Sequence, residues 1–561
     1  MTHRSAIFAL ADTYIDELAA INPITATNLG ISGYDDKLPD YSLAGSQSQA
    51  DHFRNTLSAL KDLTPIDEID RISAEVFRER LESSLGLYES MEMQRVICAL
   101  ASPASDVRQV FEMMDASTPD AVSLIIARLH AIPRAFNSWQ ESLRELQRDG
   151  MVGARRQVLS VAEQVGAHGA TGYRAFASNI NAGALQAQLD QAIEIASESA
   201  TSLANWLHDE YATLSSPVDA YGEERYAPWA RYYTGSKLNL RDTYEWGLAD
   251  LAAINERMWK VAARVAPQAK SLADVAMHLD RDPKYALHGT DQLLAYLRNF
   301  TDSAIERMHG THFDIDDRIK FCDVRLAPEG SAAAAYYMPP SEDLSRPGTT
   351  WYPTMGMNEF TSWRNDSIWY HEAVPGHHLQ CATVVLEQER LSRFQRTEGW
   401  TSGYGEGWAL YAERLMDELG AFEDPGAELG FLSGQGLRAA RVVVDIGMHL
   451  GYKDEHGKVW NAESARECLI ERALLEPEFA NSEVDRYLGI PGQAISYKVG
   501  ERVWMAVREA ARARHGGAFD LKAFHAHALR MTHGTRPFRC RNGALVAATD
   551  GSFTHPSPRT A

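Results

Sequence analysis

The chain is 561 residues long, 45% hydrophobic and 23% charged, the profile of an ordinary globular protein. Its net charge of −21 speaks against a nucleic-acid-binding surface and against an anionic membrane as partner. The cysteines (Cys98, Cys322, Cys381, Cys468 and Cys540) are scattered without a C-x-x-C pair, and the start of the chain lacks a signal-peptide core, so a cytoplasmic setting is expected.

Helical periodicity dominates residues 1–310, which are expected to form a helical scaffold. Phe8, Ala11, Tyr14, Ile15 and Leu18 recur at i, i+3, i+4 spacing and stop at Asn22-Pro23. Ala182–Tyr211 is long and Ala-rich, and Leu240–Val265 is a strong amphipathic run. Pro217–Pro228 and Gly235 read as loop punctuation. Between Arg318 and Pro353 the pattern changes. Ile319–Val324, Ala335–Met338 and Thr349–Tyr352 have strand character, so a small sheet is expected just before the next helix, with Tyr336 or Tyr337 within reach of a substrate.

From Asn358 onward helices return, over Trp363–Glu389, Glu406–Leu419 and Leu429–Leu450. On the third of these, Arg441, Asp445 and His449 form a polar stripe at i, i+4, i+8 among Val442, Val443, Val444 and Ile446. A polar stripe on so apolar a helix needs partners, and it is expected to face a cleft. Arg441 would then bind a substrate carboxylate and His449 would steady the reaction's oxyanion. Pro491–Gly500 opens the last strong helix, with Tyr497 as candidate oxyanion donor and Lys498 as candidate carboxylate binder. Residues 311–535 are expected to be the catalytic portion of the same large domain, and 536–561 a divergent or flexible tail. His515, His525, His527 and His533 read as scattered surface histidines.

The chemistry concentrates in Trp369–Gln380, WYHEAVPGHHLQ. Zinc hydrolases use neutral imidazoles as ligands and an adjacent Glu to activate water. The common H-E-x-x-H spacing is absent, because Pro375 stands at the fourth position after His371. On an unbroken helix His377 would lie about 240° around from His371, and His378 would lie on the right face but roughly 10 Å along the axis. One zinc needs both nitrogens about 2.0–2.1 Å away, so Pro375-Gly376 must break or bulge the helix. Such a bulge returns either His377 or His378 to the metal, and spacing does not choose between them. Glu406, in Gly405–Glu413 (GEGWALYAE), offers a carboxylate on a returning helix. Two imidazoles, one carboxylate and an open position make a catalytic zinc arrangement.

H-E-x-x-P-G-H-H-x-Q followed by E-G-W-A-x-Y-A-E looks like the bacterial family of unknown function DUF885. Tyr336–Pro340, Ser345–Gly348, Arg441–His449 and Pro491–Gly500 resemble further signatures of that family. The family resembles gluzincin metallopeptidases and, more distantly, the helical carboxypeptidase Taq and angiotensin-converting enzyme group. The resemblance implies a Zn2+ held by His371, His377 and Glu406, with Glu372 as base, and it is what favours His377 over His378. It also implies a deep cleft suited to short peptides.

The expected protein is therefore mainly α, a large helical body around a deep active-site cleft with a small β-sheet next to the metal-binding helix. The expected activity is zinc-dependent hydrolysis of short peptides or peptide-like small substrates, carboxypeptidase- or dipeptidase-like, by a chain that can pair as a homodimer. A zinc hydrolase of non-peptide amides or esters, or a non-catalytic metal- or peptide-binding protein, are the alternatives. Glu372 speaks against the last, because a structural zinc has no use for a base.

Overall fold

Runs with one apolar face in every 3.6 residues become helices that bury that face, and such runs build most of this mainly α chain. A computed structural model describes residues 5–327, 334–342 and 344–530, and a short ladder between Cys540–Arg541 and Ala544–Leu545. The expectation for the tail beyond about His533 otherwise lies outside the described residues. Two compact units are present, Met1–Pro228 with Asp485–Pro491, and Trp229–Val484 with Gly492–Ala561.

In the first unit, helix α1 (Ala6–Ile21) ends as expected before Pro23, with Ser5 capping its start. Helix α2 (Pro119–Arg148) opens with Pro119 at its first position and a Thr118 cap. Its Ile125, Leu129, Ile132, Phe136 and Leu143 meet Leu189, Ile193, Ala196 and Leu203 of α3 (Gln186–Trp206) in one apolar core. The chain then makes a π-helical turn at Leu207–Tyr211. The expected loop over Pro217–Pro228 is present only in its first half, residues 217–222. Pro228 lies inside the helix Glu223–Thr234, where the ring removes a single backbone hydrogen bond and the helix continues past it.

In the second unit, α4 (Leu240–Val265) has the expected bounds and an Asn239 cap. Strands follow: β1 (Ala286–His288), β2 (Asp323–Leu326), β3 (Tyr336–Met338), β4 (Thr349–Tyr352) and β5 (Glu359–Thr361). β4 is central in a three-stranded sheet, parallel to β2 and antiparallel to β3, so the expected small sheet is present. β1 and β5 form a separate antiparallel pair. Val324, Leu287, Phe360 and Leu297 pack with Trp369, so both sheets back onto the helix that carries the His-Glu pair.

That helix, α5 (Ser362–Glu372), is followed by α6 (His377–Leu386), α7 (Ser402–Glu418), α8 (Pro425–Leu450) and α9 (Ser496–His515). α8 packs against α4 and α5, and α7 against α9. Glycine makes these approaches possible. A Cβ on Gly430 would lie 1.9 Å from the Trp363 carbonyl oxygen, and one on Gly500 2.7 Å from the Gly407 Cα. Among the described residues no helix is long and apolar enough to cross a membrane. Cys98, Cys322, Cys381 and Cys468 are free thiols.

Candidate functional site

The helix predicted over Trp363–Glu389 is broken where Pro375-Gly376 demanded it. α5 stops at Glu372, a non-helical link runs through Ala373–Gly376, and α6 restarts at His377. The Val374–Pro375 peptide is cis, and the Pro375 carbonyl accepts a hydrogen bond from Trp408 Nε1 at 2.9 Å. Gly376 passes so close to α5 that a Cβ there would sit 1.8 Å from the His371 carbonyl oxygen. The link sets the ring centres of His371 and His377 4.8 Å apart, nearly perpendicular.

Glu406 comes from α7, which starts earlier than expected, so Glu406 lies past the first turn. Its Oε2 is 3.2 Å from His371 Nε2 and 3.3 Å from His377 Nε2. Ligand atoms of His371, His377 and Glu406 all lie within 4.8 Å of one another. The structure thus brings together the three predicted metal ligands.

His378, the rival ligand, is turned away. Its Nε2 donates to the Ile319 carbonyl at 2.8 Å, and its Nδ1 accepts from Tyr337 Oη at 3.0 Å. Burial pushes its pKa down to about 4, which keeps it neutral, with both ring nitrogens satisfied. The same geometry corrects the substrate-binding role expected of Tyr337: its hydroxyl is committed to His378.

Glu413 was missed as a site residue. It lies seven residues after Glu406, on the same face of α7 by helix geometry, and is buried. Its Oε1 accepts from His371 Nδ1 at 2.8 Å and its Oε2 from Ser367 Oγ at 2.5 Å. A carboxylate behind a metal-binding imidazole fixes ring orientation and tautomer. With one proton on Nδ1, the second proton that Nε2 shares with the Glu406 carboxylate stands where a cation between them would take its place. Burial opposes a charge on His371, but its hydrogen bonds to Glu406 and Glu413 prevail and raise its pKa to about 9. Despite burial, His377 and His371 hold Glu406 well below the usual carboxylate range. The donor set, two imidazoles and a carboxylate with one imidazole braced, fits a zinc ion. The Nδ1 of His377 is buried without a hydrogen-bond partner among the described residues, so it lacks such a brace.

Glu372 is 7% exposed, and burial pushes it above the usual carboxylate range although His371 and His377 oppose the shift. The Tyr497 ring lies beside His371, with ring centres 6.3 Å apart. Trp400, 39% exposed, lies 6.3 Å from the His377 ring, and its indole rests where a Gly405 side chain would be.

Three predicted roles are corrected by burial and pairing. Lys498 is 1% exposed, with Nζ 2.6 Å from Gln435 Oε1, 2.6 Å from Glu501 Oε2 and 3.4 Å from Asp250 Oδ2, so its charge is balanced inside the fold rather than presented to a substrate. Arg441 lies 4.7 Å over the Tyr497 ring, but its Nε and Nη2 are bonded to Glu483 Oε2 at 3.1 and 2.6 Å. His449 is 1% exposed and sits 3.6 Å from Asp445, whose other oxygen accepts from the Gly492 amide, so its ring is buried beside an acid. His525, expected at the surface, is buried, accepts from Tyr411 Oη at 2.7 Å and has its pKa pushed down to about 3 by burial.

No curated protein matches the chain. Two solved structures, each described as a "putative lipoprotein", share the fold. The one from Colwellia psychrerythraea has a TM-score of 0.81 at 20% identity, covering 94% of this chain and 96% of its own. The one from Shewanella oneidensis, also described as of unknown function, has a TM-score of 0.73 at 18% identity, covering 95% of this chain and 99% of its own. The family described as bacterial protein of unknown function (DUF885) matches residues 23–539, more than nine-tenths of the sequence, and the chain belongs to that family.

Proposed function

We propose that the chain is a zinc-dependent hydrolase that cleaves short peptides, in the manner of gluzincin metallopeptidases. The observation that carries this reading is the convergence of His371, His377 and Glu406, with ligand atoms within 4.8 Å, directly beside the buried Glu372. A zinc ion held by these three residues would supply Lewis acidity to the scissile carbonyl and make water more acidic.

The chain's own groups perform the proton work. Glu372 takes a proton from the attacking water and passes it to the leaving amine, and burial makes it a stronger base than an ordinary glutamate. Glu413 keeps His371 in the Nδ1–H tautomer. Tyr497 donates its hydroxyl hydrogen to the oxyanion that forms when the carbonyl is attacked. With His371, Glu372 and His377 each under a tenth exposed, a short flexible peptide reaches the site more readily than a folded chain.

The test is cleavage of a short-peptide library before chelation, after chelation and after zinc is restored. Cleavage that disappears with the metal and returns with zinc is expected. Intact casein cut as fast as short peptides would contradict the substrate class, and full activity in the chelated, metal-free protein would contradict the mechanism.

A further inference from the structure

Among the described residues, Arg438 is a guanidinium beside this centre whose hydrogen-bonding fork is largely unused. It lies on α8 one turn before Arg441, and the two frame the Tyr497 ring at 5.9 and 4.7 Å. Arg441 spends its fork on Glu483. Arg438 does not. Among the described residues its guanidinium makes one hydrogen bond, from Nη1 to the Gly434 carbonyl at 3.3 Å, and its Nε is buried without a partner. Its nearest carboxylate oxygen, Glu413 Oε1, is 4.0 Å away and already occupied by His371 at 2.8 Å, while the other oxygen of Glu413 is taken by Ser367. The Arg438 side chain is only 12% exposed, so water does not fully replace the missing partners.

A desolvated guanidinium with unused N–H groups is costly unless an anion completes it, and a carboxylate matches its fork. Gly434 keeps the neighbouring space clear: a Cβ there would come within 3.2 Å of Arg438 Nη1 and 3.5 Å of Glu413 Oε2. Glu413 is an ion-pair neighbour of Arg438 at 4.0 Å, but at that distance it accepts no hydrogen bond from the guanidinium and leaves the fork uncompleted.

Resting on the zinc-hydrolase reading above, we infer that Arg438 binds the free carboxylate of the substrate, so that the substrates are short peptides or N-acyl amino acids carrying that carboxylate beside the scissile amide. The protein then trims from the carboxyl end. The carboxylate receptor expected at Arg441 is one helical turn earlier, on the arginine whose fork no buried acid hydrogen-bonds.

The experiment compares N-acetylphenylalanine with its carboxamide as ligands of the zinc-loaded protein by calorimetry, for wild type, Arg438→Gln and Arg438→Lys. Wild type is expected to bind the free acid at least about 10-fold more tightly, the Gln variant to lose that preference, and the Lys variant to keep part of it. A parallel assay of a blocked dipeptide acid and its amide is expected to show the same change in the kcat/KM ratio. Equal binding of acid and amide by wild type, or an undiminished preference in Arg438→Gln, overturns the assignment. Zinc content and cleavage of the peptide library identify failure of the underlying reading separately, and the calorimetric preference decides the Arg438 assignment in either case.

Discussion

Glu372→Gln is expected to lower kcat/KM on a short peptide by about 10³-fold, within the range assigned to general acid–base catalysis, while zinc content stays unchanged. The substitution keeps shape and burial but removes the proton acceptor. Glu372 adjoins His371 on α5 and is not among the three converging donors, so binding of the metal does not depend on its charge. The pH profile carries the same information. Glu372 works as a base only when deprotonated, and burial raises its pKa, so activity falls as the pH drops through a value above the ordinary glutamate range. Measured kcat/KM against pH, with metal analysis of both proteins, checks this. A variant that retains more than about a tenth of wild-type activity would remove Glu372 from the mechanism.

Gly376→Ala is expected to empty the metal site without altering any ligand. The added Cβ would meet the His371 carbonyl oxygen at 1.8 Å and that of Tyr370 at 2.5 Å, both main-chain atoms at the end of α5. Rotating a side chain cannot relieve such a contact, so the Ala373–Gly376 link must move, and His377 moves with it. Overpacking of this kind costs about 3 kcal/mol, and more where backbone must shift. The measurements are zinc stoichiometry and the denaturant midpoint. Wild-type values for both would show that the link tolerates a side chain and that its close approach does not set the ligand geometry.

Legibility in the sequence followed the range of the interactions. The helices whose apolar faces repeat locally, such as α1 and α4, have bounds close to those the periodicity dictates. The metal residues were readable because His-Glu, Pro-Gly and His lie within seven positions and the chemistry needs those residue types. The choice between His377 and His378 was not readable from spacing. It is made by the Ile319 carbonyl and by Tyr337, which arrives on a strand about 40 residues upstream. Glu413 escaped notice because a glutamate near the end of an amphipathic helix reads as solvated, and only the fold buries it behind His371. Arg441 was assigned to substrate because its counter-ion, Glu483, sits on another helix; for Lys498 the ion pair with Glu501 is local at i+3, but its burial and the contact with Gln435 come only from the fold. A buried cation on an apolar helix signals a partner, and the sequence does not say which.

The most direct test of the account is the zinc content of purified wild type beside His377→Ala and His378→Ala. Wild type and His378→Ala are expected to carry about one zinc per chain, and His377→Ala to lose it, because only His377 points at Glu406 and His371. Metal retained by His377→Ala, or lost from His378→Ala in a folded protein, would contradict the ligand set, and a wild type that takes up no metal would contradict the hydrolase itself.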